Sequence, residues 1–465
     1  MRLYSCCNCG QTLFFENNLC EKCGHALGFS SDTMSLLTLE RAGELWRPLN
    51  GGPDYHYCGN AIHGACNWLV RAPAAPGKLC AACRHNATIP DISVAENLNG
   101  WRTVEIAKHR LFYMLLRLQL PLRDIVEDPE HGLGFDFLAD PPVPGLRILT
   151  GHDKGLITIN LAEANDAMRE CSRAKMGEPH RTLLGHFRHE IGHYFWNELI
   201  RNSDRLNAFR TMFGDHTRDY AAALKLHYEQ GPTAGWEEKY VSAYASAHPW
   251  EDFAETWAHY LHILDTLETA SAFGLRIHPS RSSQALLHAD FNFDPYAAKT
   301  TEELIDAWLP LTFAMNALNR SMGHSDMYPF VLSQPVILKL GFIHDLVHDK
   351  VLAKALGTDR LPGKFHGNRL AVGPGQPPPS EPPAPPGPPP IRPPMPAPPE
   401  PEPEIEPPLE SPPELPPGET PPQPPVGDPP LVHDVKRCKS VSRLPVLEMF
   451  PASRCDIKWR SVLIA

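Results

Sequence analysis

The spacing of the cysteines constrains this chain more than any other feature. Nine of its twelve cysteines lie before residue 84, and eight form two sets: Cys6-x2-Cys9 with Cys20-x2-Cys23, and Cys58-x7-Cys66 with Cys80-x2-Cys83. A Cys-x2-Cys pair on a tight turn offers two thiolates to one ion, and a second pair completes a tetrahedral site with metal–sulfur distances of about 2.3 Å. Gly10 and Gly24 follow the cysteine pairs of the first set, where a positive φ lets backbone N–H groups turn toward sulfur. The opening stretch MRLYSCCNCG lacks the basic and apolar regions of a secretion signal, and no apolar run reaches the ~18 residues of a membrane span. The expectation is a soluble, cytoplasmic protein, where reduced thiols bind metal rather than pair as disulfides. The cysteines therefore predict a zinc ribbon over residues 1–30 and a second, four-cysteine zinc-binding module over 50–90, each with one structural Zn²⁺. Cys7 is left over; the two-residue spacing favours Cys6 as the ligand.

At the other end, residues 374–430 hold 30 prolines and nine acidic residues against the single Arg392, so most of the formal charge of −11 sits there. Such a tract cannot build a core and is expected to be an extended, disordered linker, followed by a C-terminal tail over 431–465, also expected to be disordered. The remainder is close to neutral and lacks a clustered basic footprint, which argues against nucleic-acid binding. Protein docking through the ribbons or the proline tract is the partner chemistry left open. Oligomeric state is not specified.

Between these ends the pattern is that of an α+β domain, mainly helical with a small sheet, over 95–356. Trp101, Val104, Ile106, Leu111, Met114 and Leu115 recur at helical steps. LGFDFLAD and RILTGHDKGLITINLAEA read as strands, with Gly151 to Gly155 as turn residues. A long helical region begins near Glu178, and further helices are expected over 205–229, 251–270, 301–322 and 334–356. GLITIN, just before the Glu178 helix, either offers an edge to an extended peptide or forms plain core sheet.

The first of these later helices carries GHFRHEIGHYFW. His189 and His193, four residues apart, put two imidazoles on one helical face within reach of one ion. Glu190, about 100° around the helix, can hold and deprotonate a water beside the metal. Leu183, Leu184, Phe187, Ile191, Phe195 and Leu199 supply the buried stripe, Gly192 leaves room on the metal side, and His186 reads as a polar neighbour. A catalytic zinc needs a third protein ligand and an open position. Glu251 in YASAHPWEDFAETWAHYLH is the candidate, with His259 as the rival. Glu255, one turn after Glu251, could fix the tautomer of a ligand histidine.

The chain resembles the bacterial zinc-binding metallopeptidase family that joins an N-terminal zinc-ribbon region to a GHFRHEIGHY helix and a YVSAYASAHPWEDFAETWAHYLH segment. CNWLV, IPDISV, GLITIN and DAWLPLTFAMNALNRSMG extend the resemblance from about residue 1 to 350. The core motif is also similar to the gluzincin (zincin-like) catalytic domain of anthrax lethal factor, through Glu251-Asp252-Phe253-Ala254-Glu255. That similarity implies Glu251 as zinc ligand, Glu255 as support for a ligand histidine, and Tyr244, seven residues before Glu251, as an oxyanion donor. The implied activity is hydrolysis of a peptide or protein substrate with Glu190 as general base and one catalytic Zn²⁺. A non-catalytic zinc-stapled scaffold and an amidohydrolase acting on a non-peptide amide are the alternatives.

Overall fold

A computed structural model describes residues 1–141, 148–165, 169, 182–281, 284 and 287–355, all within one compact unit, Met1–Pro389. The expectations for the proline tract, for the tail and for a helix start near Glu178 fall outside these residues.

The N-terminal region begins with a two-stranded hairpin, β1 (Tyr4–Ser5) and β2 (Thr12–Leu13). An antiparallel meander follows: β3 (Ala26–Ser30), β4 (Ser35–Ala42), β5 (Leu45–Pro48), β6 (Tyr55–Tyr57) and β7 (Leu69–Arg71), hydrogen-bonded in that order. Phe29 also meets Trp68 in a parallel bridge, so the first and last strands of the meander touch. This sheet runs over residues 26–71, takes in the stretch 31–49 that the cysteine spacing leaves unassigned, and links the two cysteine sets. Leu27, Phe29, Leu36, Leu39, Tyr55 and Leu69 are among its buried side chains.

The chain leaves the second cysteine set directly into β8 (Asn86–Thr88), which pairs in parallel with β9 (Gly134–Leu138). The four-stranded sheet then runs β10 (Gly151–Asp153), β11 (Leu156–Asn160), β9, β8. GLITIN is thus interior, with β9 on one side and β10 on the other, and the edge strands are β10 and β8. The expected turn over 151–155 shrinks to Lys154 and Gly155, with φ of 45° and 90°. Two successive positive-φ residues make the tight turn whose twist matches a β-hairpin.

Seven α-helices stand among the described residues: α1 (Ala95–Arg117), α2 (Leu183–Leu199), α3 (Leu206–Phe213), α4 (Tyr220–Gln230), α5 (Pro249–Ala272), α6 (Thr301–Ser321) and α7 (Gln334–Ala355). The single helix expected over 205–229 is broken at Gly214, whose φ of 107° ends α3. In α1 the expected core positions are buried except Ile106, which is 43 % exposed. The core centres on α2 crossing α5, flanked by α1, α6 and α7. Phe195 stacks on Trp257 with ring centroids 5.0 Å apart, and both are fully buried; each such side chain contributes about 1.5–3 kcal/mol through burial. No helix of the described residues is long and apolar enough to cross a membrane.

Candidate metal centre

Local sequence fixes where each ligand helix starts. Thr182 caps α2 by accepting a hydrogen bond from the Gly185 N–H at 2.9 Å. His248 does the same for α5 through Nδ1, which accepts from Trp250 N–H at 3.1 Å, and Pro249 occupies the first turn. Proline has no N–H to leave unpaired there, and Glu251 and Asp252 in that turn complement the positive end of the helix dipole.

The two helices approach closely because Gly192 faces α5. A Cβ at 192 would stand 3.0 Å from Ala254 Cα and 3.2 Å from Trp257 Cβ. The space expected on the metal side is therefore used for helix packing. The crossing brings donor atoms of His189, His193 and Glu251 within 4.8 Å of one another. Glu251 Oε2 lies 3.1 Å from His189 Nε2 and 3.6 Å from His193 Nε2.

Glu251 is 1 % exposed, and its Oε2 is buried without a hydrogen-bond partner. Burying an unpaired carboxylate oxygen is costly, so a cation between it and two imidazole nitrogens suits the site chemically. Two histidines and a carboxylate form a donor set typical of catalytic zinc. The other oxygen, Oε1, accepts a hydrogen bond from Tyr220 at 2.6 Å. Burial opposes ionisation of Glu251, but His193 and His189 outweigh it and hold the carboxyl well below its usual range.

Glu255 accepts at 2.7 Å from His189 Nδ1, and Ser242 donates its hydroxyl to the other Glu255 oxygen at 2.6 Å. Its carboxyl is likewise lowered, against burial, by His189. A charged Glu255 keeps the proton of His189 on Nδ1 and leaves Nε2 free to bind a metal. His193 stacks beside His152 at 6.2 Å and lies 5.4 Å from Trp250.

The remaining sequence candidates take other places. Glu190, half-buried, is outside the donor set, but its charge reaches the phenols of Tyr220 and Tyr244. The Tyr244 ring lies 6.0 Å from that of His189. His259 pairs through Nδ1 with the Tyr328 hydroxyl at 2.7 Å and packs against Phe330, outside the donor set. His186 contacts Glu163. Sequence reasoning missed Tyr220 and Ser242: Tyr220 lies in no motif, Ser242 lies in the YVSAYASAHPW stretch without a spacing that marks it, and each joins the site only through tertiary contact.

The cysteine sets also converge. Cys6, Cys9, Cys20 and Cys23 bring their sulfurs within 4.8 Å, as do Cys58, Cys66, Cys80 and Cys83. In the first set Cys6 is buried and Cys7 exposed, and Gly10 and Gly24 have φ of 70° and 73°. The second set reaches α1: His109 Nε2 lies 3.3 Å from Cys66 Sγ and 3.5 Å from Cys83 Sγ, and buried Glu105 pairs with buried Lys108 at 2.9 Å. Four thiolates around a divalent ion leave two excess negative charges, which cationic Lys108 and His109 would offset. His109 has no metal-motif spacing to the cysteines, so the sequence reading missed it.

Residues 3–94 match a zinc-ribbon domain. Uncharacterized proteins of Mycobacterium bovis and Mycobacterium tuberculosis are each 43 % identical over 350 residues, covering 75 % of this chain and 96 % of theirs. No solved structure matches the chain. Residues 97–346, which carry the His189, His193 and Glu251 cluster, match the family described as "Putative zinc-binding metallo-peptidase", and the chain belongs to that family.

Proposed function

We propose that the protein is a cytoplasmic, gluzincin-like zinc metallopeptidase that hydrolyses a peptide or protein substrate. The observation that carries this reading is the buried, unpartnered Glu251 oxygen beside two histidine nitrogens, with Glu190 next to them but outside the donor set. His189, His193 and Glu251 would hold Zn²⁺, which when bound lowers the pKa of a water toward ~7 and polarises a carbonyl.

Glu190 takes the proton of the attacking water and returns it to the leaving amine. Burial and the charge of Glu251 raise the Tyr244 phenol well above its ordinary value, so it stays protonated and donates to the oxyanion. The Tyr220 hydroxyl, committed to Glu251, leaves Tyr244 as the oxyanion donor. Edge strand β10 packs against α2 and carries His152 to the His193 ring, so an extended substrate would add alongside β10 rather than GLITIN.

The two cysteine clusters each hold one structural zinc in this reading, for three ions per chain. No disulfide joins the described cysteines, which suits zinc ligands in a reducing compartment.

The test compares wild type with Glu190→Gln on a peptide library, with bound zinc measured in both. Wild type should cleave, and the variant should keep its zinc while losing on the order of 10²–10⁴ in rate. Equal cleavage by both, or a zinc-loaded wild type that cuts nothing, would refute the assignment.

A further inference from the structure

The segment between the two ligand helices carries an element that the peptidase reading touches only through Tyr220. Helix α4 buries only Ala223 among its eleven residues. It lies between Gly214 and Gly231, both at positive φ of 107° and 79°. Near its N-terminus, Arg218 O faces His248 Nε2 at 3.2 Å, and Asp219 caps the helix by accepting from Ala222 N–H.

The next residue, Tyr220, places its ring 5.2 Å from that of His248 and 6.1 Å from that of Trp250. Its hydroxyl is 2.6 Å from Glu251 Oε1. That hydrogen bond uses one carboxylate oxygen and leaves Oε2 toward the two imidazoles. A carboxylate with one oxygen held by a donor presents the other to a metal in a fixed direction, and such outer contacts set affinity as well as orientation.

We infer that Tyr220 is a positioning residue that holds Glu251 as a one-oxygen ligand and thereby couples metal occupancy to the seating of α4. The inference rests on the metal-centre reading above. Because α4 is otherwise lightly packed, its attachment and the third ligand form one linked equilibrium. Whatever strengthens metal binding seats the helix, and releasing the helix weakens metal binding by the same factor.

The experiment measures zinc affinity by chelator competition in full-length wild type, Tyr220→Phe and His189→Ala, with apo melting temperatures and hydrogen exchange over residues 220–230. His189→Ala identifies the ion belonging to this site rather than to the cysteines. Tyr220→Phe removes one oxygen and keeps the ring, so the expected result is a 10–100-fold weaker affinity for that ion. The cysteine-bound zinc should stay unchanged, and the apo melting temperature should fall less than that of the loaded protein. Exchange over α4 should quicken in the variant, and in wild type once that ion is stripped.

Cobalt substitution adds a spectroscopic readout, since its visible bands follow coordination geometry. They should change in Tyr220→Phe as Glu251 is freed to bind through both oxygens. Zinc affinity within twofold of wild type would overturn the inference, as would an apo melting temperature that falls as far as that of the loaded protein. If His189→Ala loses the ion and Tyr220→Phe does not, only the inference about Tyr220 falls. If His189→Ala loses no zinc, the metal-centre reading falls with it.

Discussion

Gly192 shows how one absent side chain sets the separation of the ligand helices. The atoms a Cβ would meet, Ala254 Cα and Trp257 Cβ, cannot rotate away, so the helices themselves would have to part. Gly192→Ala gains about 1 kcal/mol of helix propensity but incurs overpacking of typically about 1–3 kcal/mol. The expected outcome is a net loss of about 1 kcal/mol in denaturant unfolding, with weaker zinc binding, because Ala254 lies between Glu251 and Glu255 on α5. A more stable variant with unchanged zinc affinity would contradict it. Much of the site was legible at this scale: His189, Glu190 and His193 are related by helical geometry alone, and Glu251 and Glu255 by a short motif. Tyr220, Ser242 and His109 were not, because each acts on a partner 13 to 43 residues away in sequence, and nothing in its own neighbourhood encodes that approach. Gly192 was noticed for the wrong neighbour, since spacing shows that room is needed on a helix but not which surface fills it.

At the scale of elements, the placement of α5 depends on α7 as well as on α2. Lys339 on α7 reaches Asp252 at 2.6 Å and donates to the Lys239 carbonyl at 2.7 Å, and the Lys339 and Asp252 side chains are both buried. Burial pushes the Asp252 carboxyl up to about 7 even with Lys339 beside it. Removing one partner of a buried pair costs about 3–5 kcal/mol when a charge is stranded, but Asp252 can take up a proton instead. Lys339→Met is therefore expected to lose about 3 kcal/mol at neutral pH, measured by denaturant unfolding; a loss below about 1 kcal/mol would show that the pair does not anchor α5. The long helices were legible within a few residues because their apolar stripes repeat at the helical period. The break between α3 and α4 depends on the φ of Gly214, and the meander over 26–71 on pairing between short strands, neither of which periodicity reports. Edge or interior stayed open for β11 for the same reason: alternation identifies a strand but not its neighbours, and the structure places it inside the sheet.

For the whole molecule, the cysteine region is built into the part of the chain that carries the candidate metal centre. Strand β8 leaves the second cysteine set to pair with β9, and α1 inserts His109 against two of its sulfurs. Structural zinc sites fold with their metal, so Cys83→Ser should lower the stability of the whole unit rather than melt a separate module. A helix-monitored thermal scan should show one transition at lower temperature; an unchanged helical transition preceded by a small early one would show that the modules are independent. The order of donors along the chain has a consequence for biosynthesis. His193 and Glu251 are separated by 57 residues that include α3 and α4, so at ~5–20 residues per second the carboxylate leaves the ribosome roughly 3–11 s after the histidines. A nascent chain therefore passes through a stage in which its histidines are made but its third donor is not, and under the proposed function it would cut nothing until α5 emerges and folds.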